Sequence, residues 1–324
     1  MRADENSAYY EGVFAELMAG FIKYKRAQGL KYESVSRLLR TMSKFLEAHD
    51  ADLSGISRPL MDEWCSMRPN ESRRTREIRI SYASQFARYL VENGVPASLP
   101  RITKKSPSSF VPYIYSPKEL QGFFNECGKV KARTPSVMPD VLPVLFRLLL
   151  CCGLRVSEAL ALMCRDVDLN KGQLTVRNAK GGKDRLAPIS GSLLVILLDY
   201  NTRTRGMSFS LDEPFFCHRD KRPINHDVIY RWFRKVLWKA GISHNGHGPR
   251  VHDFRHTFAV YSLKSMVDRG MDIYCALPIL STYLGHATIS ATGQYVRLTQ
   301  DMFPEIVDKT SAIAAFVIPG GDSV

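Results

Sequence analysis

Residues 283–298 read YLGHATISATGQYVRL, and in this stretch Tyr295 follows His286 by nine residues. The pattern of apolar residues favours two helices here, Ile279–Gly285 and Ser290–Leu298, with a short polar segment between them. A tyrosine on a helix is most often a core or surface residue. The meaning of this one therefore depends on the chemistry carried by the rest of the chain.

Two segments upstream supply arginine and a second histidine. His252 and Arg255 are three residues apart in HDFRHTFA, so they share one face of the predicted helix Arg250–Met266. Arg155 follows an apolar run that Gly153 ends. Two arginines, two histidines and a phenol are what a metal-free attack on a phosphodiester needs. The phosphate charge must be neutralised, and a phenol with an ordinary pKa near ~10 must be made reactive.

Two further charged residues are candidates for the same site. Glu158 lies one helical turn after the first arginine and could orient it by charge-assisted hydrogen bonds, although a structural ion pair is the competing interpretation. Lys180 lies in a glycine-containing turn between the strand-like runs Gln173–Arg177 and Arg185–Ile189, where it could close onto a substrate and donate a proton. Lys183 is the alternative donor, and a solvent-exposed turn lysine is the alternative to both.

A zinc site is a weaker interpretation of the same histidines. His256 follows His252 by four residues, which is the spacing of a zinc-binding pair on a helix. That motif needs a glutamate directly after the first histidine, whereas Asp253 has a shorter side chain, and spacing indicates no third ligand. Hydrogen bonding to a phosphate is the favoured use of the imidazoles, so we expect no metal and no cofactor.

With these segments in place, the chain resembles the tyrosine recombinases of the phage-integrase and Xer type. The matching segments follow one another in the order typical of that family and span most of residues 116–300. They are LLLCCGLRVSEALAL (148–162), NAKGGKDRLAPI (178–189), HDFRHTFA (252–259) and YLGHATISATGQYVRL (283–298). The departures are Phe254 for the usual leucine, Cys152 for a common threonine, and Ala291-Thr292 for a frequent pair of threonines. None of them falls on a predicted catalytic group.

The resemblance implies which residues would hold the scissile phosphate. Arg155 and Arg255 would clamp its non-bridging oxygens, and His286 would donate a hydrogen bond to it. Glu158 would hold the surroundings of the first arginine.

The resemblance also implies the covalent step and its proton transfers. Tyr295 would attack the phosphorus and form a 3′-phosphotyrosine, which conserves the energy of the phosphodiester, so that no nucleotide cofactor is needed for resealing. Lys180 would protonate the leaving 5′ oxygen, and His252 would assist proton transfer at the tyrosine.

The favoured function is therefore a site-specific DNA recombinase or integrase. Its expected partners are double-stranded DNA with inverted-repeat recombination sites, three further copies of the chain in a homotetramer on two sites, and accessory DNA-bending proteins. A type IB topoisomerase-like enzyme and a non-enzymatic DNA-binding protein on the same fold are the alternatives. The complete set of seven candidate residues argues against a non-enzymatic DNA-binding protein, because an inactive relative tends to lose one of them.

Composition agrees with a nucleic-acid partner. Lys and Arg outnumber Asp and Glu by 45 to 32, a net charge of +13. The excess lies mainly in residues 101–324, with 30 basic and 19 acidic residues, against 15 and 13 in residues 1–100. A basic surface favours a polyanion. An ordinary basic protein without such a partner is the alternative.

The sequence also bears on location. The start MRADENSAYY has no apolar core segment, and no run of about 18 apolar residues exists, so neither a secretory signal nor a membrane partner is expected. The seven cysteines are scattered, form no C-x-x-C and lie mostly in apolar stretches, as reduced core cysteines do. These features predict a cytoplasmic protein, and the DNA partner predicts association with the nucleoid.

Residues 10–94 have the periodicity of an all-helical domain. Helices are expected over Tyr32–His49, Arg58–Met67 and Ser72–Asn93, after a first helix that Gly29 can end. The last of these opens with arginines that fit either a solvated face or phosphate contacts on DNA. They are Arg73, Arg74, Arg76 and Arg79.

The remaining segments complete the expected architecture. Residues 95–114 contain four prolines together with Lys104 and Lys105, which predicts an extended basic linker able to cross a polyanion. The expected fold is mainly α with a small β-sheet, in two domains. A helical domain over residues 1–94 resembles the family's core-binding, DNA-binding domain. A basic linker over 95–115 leads to an α+β catalytic domain over 116–324, whose apolar tail around Phe316 is expected to dock on a neighbouring copy.

Overall fold

The computed structural model describes residues 2–101, 111–131, 136–177, 184–205, 210–246, 248–285 and 290–303. The chain divides into two compact units, Met1–Ser109 and Phe110–Val324. The described residues are mostly helical with one small sheet, which confirms the predicted fold class. The exact bounds expected for the domains and linker stay predictions, since the expected linker includes residues outside the described ranges.

Within the described part of the first unit, four α-helices enclose an aromatic core. Phe21 and Phe86 are fully buried, with ring centroids 5.7 Å apart. Ser72 caps the last helix, because its side-chain oxygen accepts a hydrogen bond from the Thr75 amide at 3.1 Å. The helices of this unit are α1 (Ala15–Ala27), α2 (Glu33–Glu47), α3 (Arg58–Trp64) and α4 (Arg73–Glu92).

One of the four arginines that open α4 is part of this core. Arg79 is 2% exposed and donates hydrogen bonds to Glu71 at 2.6 and 2.9 Å and to the Ser66 carbonyl at 2.7 Å. The prediction that Arg79 lies on a solvated or DNA-facing surface was therefore wrong, because helical periodicity turns this side chain toward α3. Arg73 and Arg74 are exposed, and Arg76 is partly exposed.

Among its described residues, the second unit contains eight α-helices and the sheet, and α6 packs against α5, α7, α8 and α10. Fully buried aromatic rings from four helices meet in its core. Phe254 stacks on Tyr115 at 4.9 Å, and this packing accommodates phenylalanine in place of the smaller leucine. The helices are α5 (Pro117–Gly128), α6 (Met138–Cys152), α7 (Val156–Leu160), α8 (Gly191–Arg205), α9 (His226–Lys239), α10 (Asp253–Asp268), α11 (Ile273–Leu284) and α12 (Ser290–Met302).

The sheet is antiparallel with the strand order β1-β2-β3. The strands are β1 (Val167–Asp168), β2 (Gln173–Val176) and β3 (Arg185–Pro188). Leu174 pairs with Ala187, and both are buried, so this face of the hairpin is anchored in the core. The last pair, Val176 with Arg185, leaves residues 177–184 to connect the two strands.

A second, smaller core holds the helix that carries the candidate nucleophile. Side chains of α10, α11 and α12 form it, including Val260, Leu263, Leu280 and Leu284, together with Tyr295. No helix within the described ranges is both long and apolar enough to cross a membrane.

Candidate active site

The junction between α6 and α7 places the first arginine. Gly153 ends α6 in the left-handed region, with φ of 57°, and a β-carbon there would lie 2.4 Å from the Phe258 ring. A glycine is therefore required for both conformation and space. The chain turns and Arg155 precedes α7, where the Glu158 carboxylate accepts a hydrogen bond from the Arg155 amide at 2.9 Å.

Glu158 is the acid on which three guanidinium groups converge. Its carboxylate oxygens lie 2.5 Å from Nη1 of Arg155, 2.8 Å from Nη2 of Arg185 and 3.8 Å from Nη1 of Arg255. Burial raises the pKa of Glu158, but hydrogen bonds from Arg185 and from the Arg155 amide outweigh it and lower the pKa to about 2. The carboxylate is thus ionised at neutral pH and binds the arginines together.

Arg255 joins the ends of two helices while it faces this cluster. Its guanidinium donates to the Gly153 carbonyl at 2.7 Å and to the Leu284 carbonyl at 2.5 Å, and the residue is 1% exposed. Burial and then the charge of Arg155 lower its pKa to about 10, so it still carries its charge at neutral pH. Arg255 therefore fixes the junction that bears Arg155 as well as contributing its own charge.

His252 lies at the start of α10, beside the arginines. Desolvation by the surrounding protein, and then the positive charges of Arg255 and Arg155, lower the pKa of His252 to about 4, although the residue as a whole is exposed. The imidazole is consequently neutral in the free protein. A neutral ring next to two arginines can accept or donate a hydrogen bond at a bound phosphate.

Tyr295 lies on the inner face of α12 and is 1% exposed. Its hydroxyl is 2.8 Å from Nδ1 of His256, the residue that directly follows Arg255. Burial raises the pKa of the phenol, while the charges of Arg255 and Arg155 act in the opposite direction. The structure thus brings four of the candidate residues to one region, namely Arg155, Glu158, Arg255 and Tyr295, with His252 beside the arginines.

Several other candidates fall on residues that the structure does not describe. Lys180 and its alternative Lys183, together with His286, lie outside the described residues, as do Lys104 and Lys105 of the expected linker. Their assigned roles therefore stay predictions.

Arg73, Arg74 and Arg76 belong to α4 of the first unit. Arg74 pairs with Glu77 at 3.3 Å, and Nε of Arg76 donates to the Cys65 carbonyl at 2.8 Å.

One residue of the site was missed as a functional candidate, and another was expected in a different role. Arg185 pairs with Glu158 and also donates from Nε to the Tyr283 carbonyl at 3.0 Å, so it ties β3 to the site. Its position, five residues after Lys180 in the hairpin segment, was the only signal in the sequence. His256 was weighed as a zinc ligand and as a hydrogen-bond partner of a phosphate, and not as the partner of the Tyr295 hydroxyl. Among the described residues, no group of three or more potential ligands is arranged to hold a metal ion.

Residues 116–302 match the model of the phage integrase family. The chain belongs to that family. Among its relatives, the chain is 30% identical over 301 residues to a candidate integrase/recombinase, y4rB of Sinorhizobium fredii, covering 90% of this chain and 95% of that protein. It is 28% identical over 315 residues to the tyrosine recombinase XerA of Pyrococcus furiosus, covering 95% and 98%.

Solved structures with the same fold include XerH bound to a difH substrate in a pre-cleavage complex. That structure has a TM-score of 0.62 at 19% identity, covering 88% of this chain and 81% of XerH. The family and these relatives make the chain a site-specific recombinase of the tyrosine type.

Proposed function

We propose that the recombinase cleaves and rejoins DNA strands through a 3′-phosphotyrosine at Tyr295, without a metal or nucleotide cofactor. The observation that carries the proposal is the convergence of three distant segments on one region. The α6–α7 junction supplies Arg155, α10 supplies Arg255 and His252, and α12 supplies the phenol.

The charges at this region suit the transition state of phosphoryl transfer. A pentacoordinate phosphorus carries more negative charge than the phosphodiester, so fixed guanidinium groups stabilise it more than the ground state. Arg255 is held by two carbonyls and Arg155 by Glu158, which means that neither has to be reorganised during the reaction. Lys180 as the acid for the leaving 5′ oxygen, and His286 as a phosphate donor, complete the proposed site.

The first unit is the proposed DNA-binding, core-binding domain. A groove of about 400 Å³ runs along α4 and is lined by Arg74, Arg88 and Arg101, among other residues. Together with Arg73 and the exposed part of Arg76, these side chains offer positive charge to the phosphate backbone. Lys104 and Lys105 of the proposed linker would extend this contact along the duplex.

We propose the assembly expected for strand exchange between two duplexes. Two sites with inverted repeats would each bind two protomers, giving a homotetramer, and accessory DNA-bending proteins would act on the surrounding DNA. Two proteins with this fold were solved with DNA. XerH was solved bound to a difH substrate, and lambda integrase was solved as a dimer bound to a core site. The apolar tail after residue 303 would dock on the neighbouring protomer.

A two-site recombination assay tests this function. A plasmid with two copies of the native site should yield recombined products, and the Tyr295→Phe variant should yield none because it lacks the proposed nucleophilic oxygen. Relaxation of a supercoiled plasmid without any such site, with no recombinants from the two-site plasmid, would instead indicate a topoisomerase-like activity.

A further inference from the structure

The candidate nucleophile has a hydrogen-bond partner that no expected role explains. Tyr295 Oη lies 2.8 Å from His256 Nδ1, and the two residues are 1% and 6% exposed. A phenol in such a place must satisfy its hydroxyl inside the protein. A neutral imidazole can accept this proton at its unprotonated nitrogen, since either ring nitrogen can act as donor or acceptor.

The other nitrogen of His256 faces a buried acid. Nε2 lies 4.0 Å from Oδ1 of Asp253, which is 2% exposed. Oδ2 of Asp253 accepts a hydrogen bond from the Arg250 amide at 2.6 Å, whereas Oδ1 has no hydrogen-bond partner among the described residues. If Nδ1 accepts from the phenol, Nε2 carries the ring proton and points toward this carboxylate. At 4.0 Å the carboxylate is too far to accept a hydrogen bond from Nε2, but its charge favours a proton on that nitrogen.

His252 occupies a different position in the same group. Its ring lies 4.8 Å from the His256 ring at nearly a right angle, on the side of the arginines. Desolvation, and then the charges of Arg255 and Arg155, lower the pKa of His252 and so oppose its protonation. A histidine whose neighbours are guanidinium groups is poorly placed to gain a positive charge, whereas His256 has Asp253 behind it.

We propose that His256, rather than His252, accepts the phenolic proton of Tyr295 during strand cleavage, with Asp253 as its positioning residue. The inference rests on the proposed phosphotyrosine chemistry. As the bond between Tyr295 Oη and phosphorus forms, the phenolic proton passes to His256 Nδ1. The bond between phosphorus and the 5′ oxygen breaks, and that oxygen takes a proton from the proposed acid Lys180. Resealing reverses each transfer.

The same contact explains the resting arrangement of the free protein. Tyr295 is 1% exposed in the free protein, and its hydroxyl is already hydrogen-bonded to the proposed base. His256 thus binds the Tyr295 hydroxyl in the free protein and, once the phosphate is adjacent, accepts the phenolic proton. His252 is left free to contact the phosphate together with the arginines.

The test is single-turnover cleavage of a nicked suicide substrate by the full chain and its His256→Asn variant. The asparagine amide can occupy the place of Nδ1 and keep a hydrogen bond to the phenol, but it cannot accept a proton. We expect cleavage to be slower by about 10²-fold or more, which is the range for loss of a general base. His226→Asn, at an exposed histidine on α9, is the matched control and should cleave at the rate of the unchanged chain.

A second measurement separates proton transfer from structural damage. A fluorinated tyrosine at position 295 ionises more readily, so it reduces the need for a base. It should recover most of the rate in the His256→Asn background and change the rate of the unchanged background little. A substrate with a bridging 5′ sulfur, which leaves without a general acid, should rescue Lys180→Ala but not His256→Asn. His256→Gln serves as a second variant with the same expected loss and rescue.

Two results would overturn the assignment. One is cleavage by His256→Asn within threefold of the unchanged chain. The other is a loss that the fluorinated tyrosine does not reduce in either variant. Adduct formation by the unchanged chain is read separately, because its absence would contradict the proposed function as a whole and not the role of His256.

Discussion

Replacing Glu158 with glutamine should destabilise the second unit and loosen its arginine cluster. Glutamine has the same shape but no charge, so Arg155, Arg185 and Arg255 would face one another without their shared acid. Glu158 and these arginines have side chains between 1% and 19% exposed, so solvent screens their interactions only weakly.

Two estimates of the free energy of unfolding lost in Glu158→Gln agree. The difference between the ordinary pKa of 4.5 and a value of about 2 corresponds to about 3 kcal/mol in the free energy of unfolding. Removing one partner of a buried ion pair costs about 3–5 kcal/mol. For a unit of this size, about 3 kcal/mol lowers the melting temperature by roughly 6–12 °C.

Differential scanning calorimetry of the full chain over a range of pH measures this effect. The pKa of Glu158 is lower in the folded than in the unfolded chain. Its contribution is therefore complete above about pH 4.5 and is lost as the pH falls through about 2. The gap in stability between the unchanged chain and Glu158→Gln should accordingly be constant near neutral pH and narrow between those two values.

Glu126→Gln is the control. Among the described residues Glu126 pairs only with the exposed Lys129, at 2.7 Å, so this change should alter stability by at most about 0.5 kcal/mol. Equal melting temperatures for Glu158→Gln and the control at pH 7 would refute the reasoning. A stability gap that stays constant down to pH 2 would refute it as well.

The remaining predictions concern the arginines, metals and salt. Arg255→Ala should lower both stability and cleavage, because it leaves two buried carbonyls unpaired. The Arg155 side chain is 19% exposed, so Arg155→Ala should mainly lower the rate of cleavage, by about 10²–10³-fold. Calorimetry and single-turnover kinetics measure the two effects, and equal stability of the Arg255→Ala and Arg155→Ala variants would contradict this expectation. Cleavage should persist in EDTA, since the chain supplies its own cations, and a loss that zinc restores would contradict this. Arg73→Ala should reduce the slope of log affinity against log salt concentration by about 1 in DNA-binding titrations, and an unchanged slope would count against a phosphate contact.

Segments with strong periodicity and clear caps were predictable from the sequence. The β2–β3 pair and α4 were expected within one residue of their observed ends, because turn glycines and the Ser72 cap mark them locally. Helix α11 starts six residues earlier than the expected Ile279. Asp272 caps it by accepting from the Tyr274 amide at 2.8 Å, and Pro278, normally a helix breaker, is accommodated inside it.

Tertiary packing decides what local pattern could not. Helix α8 (Gly191–Arg205) was not expected, although it buries Leu193, Leu197 and Tyr200 in the core. The burial of Arg79 and the convergence of Arg185 on Glu158 likewise depend on partners 8 and 27 residues away. Spacing brought the candidate catalytic residues to attention, but only the fold shows that His256 is the partner of the Tyr295 hydroxyl.

The most direct test of the central claim is to locate the covalent bond to DNA. The recombinase would be incubated with a suicide substrate that carries its native site, and the complex would then be digested with protease. Mass spectrometry would identify the peptide that remains linked to the DNA. The account predicts a phosphodiester between the 3′ end of the cleaved strand and Tyr295, in the presence of EDTA, and no adduct with Tyr295→Phe. An adduct at another residue, or one that Tyr295→Phe still forms, would contradict it.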